Sequence, residues 1–281
     1  YANLIGNGRM EFKLASKDPF GNCTNGINHI YSHETRAGDN NSKVNQWDRA
    51  HYLNIWVAIV IGSPGAAAYS QMPVATDGAG FWYDGVISNH TYVGSIGTSN
   101  SGKEHVLTHE IGHYLNLAHV WGSTNEPGVS CGDDGVVDTP VTKGHNFCPA
   151  YPAGWIDCDT GGVILEDIHN YMEYTYCNYH FTPGQVDRMH NALEGIAGQR
   201  NLLWQDSTLA LTGVTNIILP QVPTNDLANL TVPLCTPVAD FSADTRNVCL
   251  GQSVLFSDAS WNAVIGSRSW TFQDGTPATS T

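Results

Sequence analysis

"HEIGHYLNLAHVWG", residues 109–122, carries histidines at 109, 113 and 119, a glutamate at 110 and an asparagine at 116. Residues four apart on a helix project from one face, so His109 and His113 can present two imidazole nitrogens to one ion at about 2.0–2.1 Å, the zinc–nitrogen distance. Glu110 is then turned toward the water-accessible side, where a carboxylate serves as general base. His119 lies six residues past His113, too far along a continuing helix to reach the same ion. The helix must therefore end between them. Such an exit needs a left-handed backbone, which glycine adopts most freely and asparagine tolerates through local hydrogen bonds, so Asn116 is the expected terminator. The alternative is three histidines falling together by chance. HExxH alone arises by chance in roughly a few per cent of chains this long, and a third histidine at a fixed offset cuts that to roughly one in several hundred, which favours one catalytic zinc.

Outward from this stretch, "SGKEHVLTHEIGHYLNLAH" reads as the first long helix, with Ser101 and Glu104 as a capping box and Val106, Leu107, Ile111, Tyr114 and Leu115 as its apolar face. Upstream, "YLNIWVAIVIG" reads as a core strand and "MEFKLA" as a strand entering a Gly/Asn/Ser-rich loop. Downstream, "FTPGQVDRMHNALEGIAGQRNLL" opens a second helix, with Thr182 as N-cap, Pro183 at its first position and Gln185 completing a capping box. Residues 207–235 are short apolar runs broken by Pro, Asn and Thr, the expected linker. The strand-and-turn pieces "PVADFSADTRNVCLGQSVLFSDAS" and "SRSWTFQDG" fit a small β-sandwich.

The chain of 281 residues is long enough for one sizeable core and a smaller second domain. Twelve Lys+Arg against 26 Asp+Glu give a formal charge of −14, which argues against nucleic acid and anionic membranes as partners and suits hard cations such as calcium. No apolar run approaches the roughly 18 residues of a membrane span, so no membrane insertion is expected. The sequence starts at Tyr1 without a leader, and any secretion signal and pro-segment are expected to have been removed or not shown. Seven cysteines, at 23, 131, 148, 158, 177, 235 and 249, form no CxxC pair. Disulfides in an oxidising, exported location are the better reading than a cysteine zinc site, with four of the seven restraining the Gly/Pro/Asp-rich segment 131–177.

The spacing HExxHxxxxxH resembles the zinc signature of the metzincin metallopeptidases. Together with "CGDDGVVDTP" and "NYMEY", it makes residues 10–204 similar to the pappalysin family within that clan. The family has glycine where this chain has Asn116. The resemblance implies an α+β fold: a metzincin-like domain with a mixed twisted sheet, an active-site helix and a loop-rich C-terminal subdomain. It places the catalytic domain at 1–206, with the family's opening strand and helix missing before "MEFKLA", and a linker at 207–235. Residues 236–281 resemble the beginning of a PKD-type, immunoglobulin-like sandwich, where adhesion or spacing is expected.

The same resemblance makes Met172 the Met-turn floor beneath the metal and Tyr174 the phenol that hydrogen-bonds the oxyanion. It implies the pairs Cys131–Cys158 and Cys148–Cys177 and a structural calcium at Asp133, Asp134 and Asp138. On the residues alone, a Met is more often core filler, a Tyr a packed aromatic, an acidic loop a solvated turn, and four cysteines allow three connectivities. Cys23 is the odd thiol, expected to be free, and Cys235–Cys249 is expected to close a loop in the second domain.

Some pappalysins favour arginine after the scissile bond through an acidic residue in the loop following the Met-turn. Here "MEYTYCNYHF" shows no carboxylate between Glu173 and Cys177, so a weak arginine preference is expected. The implied function is a secreted or cell-surface zinc endopeptidase of bacterial source acting on proteins or peptides, with Glu110 as general base. The rival is a secreted adhesin or carbohydrate-binding protein with an inactive metallopeptidase-like domain. Glu110 argues against it, because a purely structural zinc has no use for that carboxylate.

Overall fold

The structure is a computed structural model, and it describes residues 5–63, 65–158, 161–162, 164–214, 238–245, 248, 251–260, 267–272 and 279–280. It divides into two units, Tyr1–Phe12 with His29–Leu209, and Lys13–Asn28 with Ala210–Thr281. The histidines at 109, 113 and 119 all lie in the first.

In the first unit, β1 (Ile55–Ala58), β2 (Ala68–Tyr69) and β3 (Val86–Asn89) make a sheet in the order β1-β3-β2. β1 runs parallel to β3, with Ile55 opposite Val86, and β2 runs antiparallel, with Tyr69 opposite Ile87. The stretch expected as a core strand is therefore an edge strand. Its alternation buries one face only: Ala58 is inside, while Ile55 and Val57 are exposed. The fully buried strand is β3, whose Val86, Ile87 and Ser88 have no exposed surface. "MEFKLA" forms no strand, and its Phe12 and Leu14 are exposed.

α1 (Val106–Tyr114) follows β3, and its start differs from expectation. Its N-cap is His105 and makes no side-chain cap hydrogen bond. Asn100 displaces the Ser101 capping box: its side chain accepts from the Gly102 N–H at 3.0 Å and its carbonyl from the Lys103 N–H at 3.0 Å. That local turn delays the helix by more than a turn's length. α2 (Pro183–Glu194) begins on the Thr182/Gln185 capping box, with Pro183 in the first turn. A carboxylate adds to that start, since Asp138 accepts from the Gly184 N–H at 2.8 Å and from the Thr182 hydroxyl at 2.7 Å. The main core joins the two helices through Tyr114, Leu115, Leu117, Val120, Trp121, Met172, Val186 and Met189.

α3 (Asp206–Leu211) occupies the start of the span expected as linker. In the second unit the N–H groups of Ser16 and Lys17 both donate to the Thr212 carbonyl at 3.0 Å, which groups residues 13–28 with the C-terminal part. β4 (Phe241–Ala243) pairs antiparallel with β5 (Phe256–Asp258), and β6 (Trp270–Thr271) with β7 (Thr279–Ser280). Phe241, Phe256, Trp270 and Phe272 gather their rings between these pairs, at centroid distances of 5.2–6.3 Å.

Disulfides join Cys131 to Cys158 and Cys148 to Cys177. Cys23 is not a free thiol, contrary to expectation, but is itself disulfide-bonded. The remaining cysteines, 235 and 249, and hence the pairing expected between them, lie outside the described residues. No helix among the described residues is long and apolar enough to cross a membrane.

Candidate metal centre

The end of α1 builds the centre. Asn116 has φ 74°, the left-handed conformation, and two hydrogen bonds close the turn around it. Its N–H donates to the His113 carbonyl and the Leu117 N–H donates back to the Gly112 carbonyl, both at 2.9 Å. This paired closure is the Schellman arrangement, anchored by the wholly buried Leu117. It also orients a side chain, because the Leu117 carbonyl accepts from His113 Nδ1 at 2.7 Å. The chain then returns, and His119 bridges to Gly122 as an antiparallel pair.

The other two imidazoles are fixed in the same way. His109 Nδ1 donates to the Tyr171 carbonyl at 2.7 Å and His119 Nδ1 to the Thr124 carbonyl at 2.8 Å. Carbonyls only accept, so all three rings carry their proton on Nδ1 and turn a bare Nε2 inward. Trp121 holds the third ring flat, stacked on His119 with centroids 4.4 Å apart and planes 1° from parallel, while its own indole N–H donates to the same Thr124 carbonyl at 3.0 Å.

The three inward nitrogens lie within 4.8 Å of one another, and among the described residues no other group of three His, Cys, Asp or Glu converges so closely. His113 Nε2 and His119 Nε2 are 3.1 Å apart. With both Nδ1 protons committed, no proton joins these two lone pairs, and their approach is repulsive unless a cation lies between them. Two nitrogens at about 2.0–2.1 Å from a tetrahedral zinc sit at about 3.3–3.4 Å from each other. Burial, with the neighbouring histidines adding to it at His109 and His119, lowers all three pKa values, that of His119 to about 3. The rings are therefore neutral ligands at ordinary pH.

Asn116→Gly is expected to keep zinc affinity and stability near wild type, since glycine takes φ 74° freely. Asn116→Val is expected to cost about 1–3 kcal/mol of backbone strain and to weaken zinc binding. Competition with a chromogenic chelator measures both, and a valine variant with wild-type affinity would refute this account of the turn.

Glu110 is more enclosed than a water-facing position implies, at 5 % exposure. Its Oε2 is buried without a hydrogen-bond partner. Burial pushes its carboxyl up to about 7, against the pull of a Ser70 hydrogen bond and of the Lys43 charge. Lys43 is itself buried, donating to the carbonyls of Tyr83 at 2.8 Å and Gly85 at 3.3 Å, among the rings of Trp56, Tyr69 and Tyr83. The Tyr174 ring lies 5.4 Å from His109, 4.9 Å from His119 and 5.0 Å from Trp121. Burial and the Glu110 charge push its hydroxyl up to about 12, so it remains a protonated donor at neutral pH.

Met172 is wholly buried beneath α1. A Cβ on Gly112 would stand 2.4 Å from the Met172 sulfur, so any other residue just before His113 would require the Met172 side chain to shift. Asp133, Asp134 and Asp138 are engaged by their own chain: Asp133 by the Gly135 N–H, Asp134 by Val136, Thr139 and Gln185, Asp138 by Thr182 and Gly184.

Sequence reasoning missed the residue that braces α1 from outside. Arg200, wholly buried, makes two 2.7 Å bonds to Asp84, donates through Nε to the Tyr114 carbonyl at 3.1 Å and lies 3.5 Å over the Tyr114 ring. Its partners are remote in sequence and no local pattern announces them. Trp121 was available to inspection, two residues past His119 in the same stretch.

The protein-family profile Peptidase_M43, described as pregnancy-associated plasma protein-A, matches residues 36–194. Among solved structures, Tannerella forsythia mature mirolysin in complex with a cleaved peptide is similar at 36% identity and TM-score 0.62, over 75% of this chain and 80% of that one. A second mirolysin complex, with a compound, is similar at 35% identity and TM-score 0.64 over the same shares. Among curated proteins, an extracellular metalloprotease of Arthroderma benhamiae is 40% identical over 111 residues, 38% of this chain and 35% of that protein. One of Colletotrichum graminicola is 34% identical over 155 residues, 50% and 49% respectively. The chain thus spans half or less of the length of these curated relatives.

Proposed function

Since this chain belongs to the pregnancy-associated plasma protein-A (pappalysin) family of peptidases, we propose that it is a zinc-dependent endopeptidase, with His109, His113 and His119 as ligands and Glu110 as general base. The observation that carries the reading is the meeting of bare imidazole nitrogens, two of them 3.1 Å apart with no proton to share. These residues fit the metal: three neutral, buried donors, each oriented through Nδ1 by a carbonyl. Zinc, when bound, acts as a Lewis acid that polarises the peptide carbonyl and lowers the pKa of water toward about 7.

The chain's own groups supply the rest. Glu110 Oε2, buried and unpartnered, takes the proton from the attacking water and passes it to the leaving amine. The Tyr174 phenol, protonated and beside His109 and His119, donates to the oxyanion that forms as the carbonyl is attacked. Met172 packs under the helix that holds two ligands and fixes their depth.

Export fits the disulfides and the relatives named as extracellular metalloproteases. Those relatives are fungal, which lends no support to a bacterial source. The strand pairs β4–β5 and β6–β7 are compatible with a PKD-type repeat acting as spacer or adhesive module. The calcium expectation draws no support from Asp133, Asp134 and Asp138, whose oxygens accept from their own chain.

A peptide-library digest with and without a zinc chelator tests the function. Cleavage is expected to stop with chelator and return on zinc addition; cleavage indifferent to chelation would refute the reading. The same digest is expected to show little preference for arginine after the scissile bond. Glu173, the nearest carboxylate in the loop, is 1 % exposed and faces His145 instead, so a guanidinium there would be buried unpaired.

A further inference from the structure

His145 lies outside the metal centre and is 4 % exposed, yet neither ring nitrogen has a hydrogen-bond partner. Nε2 faces Glu166 Oε2 at 3.7 Å and Nδ1 faces Glu173 Oε1 at 3.6 Å. Both carboxylates are buried as well. Glu166 is anchored by the Cys158 N–H at 2.7 Å and by the Thr142 hydroxyl, and Glu173 Oε2 accepts the His145 backbone N–H at 2.8 Å.

A neutral imidazole has one donor nitrogen and one acceptor nitrogen. Here its acceptor would confront a carboxylate, which only accepts, inside a closed site where such a clash is costly. Burial raises the Glu173 carboxyl while its His145 contacts pull it down, and with both carboxyls ionised only the imidazolium offers a donor to each side. Burial works against that charge, but Glu173 and Glu166 outweigh it, with Lys143 opposing them, and hold His145 above the ordinary histidine pKa. The result is a cation clasped between two anions.

What this clasp holds is the segment beside the metal centre. Glu173 and Tyr174 are consecutive and point opposite ways: the carboxylate is 1 % exposed and turned inward, whereas Tyr174 is 39 % exposed and turned toward His109 and His119. The backbone on either side is pinned, by the Glu173 N–H to the Asn170 carbonyl at 3.1 Å and by the Thr175 hydroxyl to the Ile168 carbonyl at 2.6 Å. Glu173 is thus a side-chain anchor of this turn beside the Thr175 hydroxyl, and the one held from the loop that carries His145.

We propose that His145 is a positioning residue, whose imidazolium between Glu166 and Glu173 ties the loop closed by Cys131–Cys158 to the turn that carries Tyr174, and so fixes the phenol over the metal centre. The inference rests on the reading of Tyr174 as oxyanion donor.

A double-mutant cycle tests it. His145→Gln, Tyr174→Phe and the double variant, loaded with zinc, are assayed for kcat and KM on one peptide taken from the library digest, with zinc content measured alongside. Tyr174→Phe is expected to lower kcat about 10-fold or more. His145→Gln is expected to lower kcat about 10-fold with KM and zinc content kept, since a displaced phenol loses its alignment. The double variant is expected to fall no further than Tyr174→Phe alone. Losses that multiply, or a His145→Gln enzyme at wild-type kcat, would overturn the inference while leaving the role of Tyr174 intact. A Tyr174→Phe enzyme at full kcat would overturn both. Should His145→Gln fail to fold, Glu173→Gln, which keeps the side chain's shape and removes its charge, takes its place in the same cycle with the same expected outcome.

Discussion

Glu110→Gln is expected to retain one zinc and the fold while losing at least about 100-fold in kcat/KM. Positioned proton transfer contributes about 100- to 10,000-fold, and glutamine keeps the shape of the side chain but cannot accept the proton. The site makes this a clean substitution. Oε2 has no hydrogen-bond partner to lose, and the three ligands are oriented by carbonyls of Tyr171, Leu117 and Thr124, none of which Glu110 touches through its side chain. Steady-state kinetics on a library-derived peptide, paired with zinc analysis, checks it. A variant cleaving within a few-fold of wild type would show that the base is elsewhere.

The largest loss of stability is expected at a residue without chemistry. Arg200→Ala leaves the wholly buried Asp84 carboxylate without its two 2.7 Å partners. Arg49, 3.4 Å away, is too loosely placed to replace them. Stranding one half of a buried ion pair costs about 3–5 kcal/mol, far more than the pair's net worth when both halves are exchanged for apolar groups. The damage also reaches the metal, because the Tyr114 carbonyl that Arg200 caps is one residue past His113. Urea denaturation of the zinc-loaded protein is expected to show that loss together with weaker zinc retention. A change under about 1 kcal/mol would mean that the pair does not brace the helix.

The legible features of this chain are those decided within one or two turns of backbone. The need to end a helix between His113 and His119 follows from helix geometry, and Asn116 is the residue nearby that tolerates the left-handed turn seen at φ 74°. The Thr182, Pro183 and Gln185 start of α2 is likewise a local affair. Where a local signal misleads, a competing local group explains it: the Asn100 carbonyl takes the Lys103 N–H, one of the two donors open to a Ser101 cap.

The illegible part is long-range. Arg200 meets Asp84 across 116 residues, and His145 meets Glu173 across 28. Nothing in "AGQRNLL" or "TKGHNF" distinguishes a buried charge from a solvated one. β1 misleads for a related reason. Its apolar run is as rich as a core strand's, but the partner that decides which strand is central is β3, some 30 residues on and unremarkable in sequence.

The central claim is that His109, His113 and His119 together hold one zinc. Elemental analysis after metal-free purification, zinc reconstitution and desalting tests it directly, run beside His119→Ala. The expected result is about one zinc per chain in the wild type and far less in the variant, because two imidazoles on a helix without the returning third make a weak site. No zinc in the wild type, or equal zinc in both, would contradict the claim.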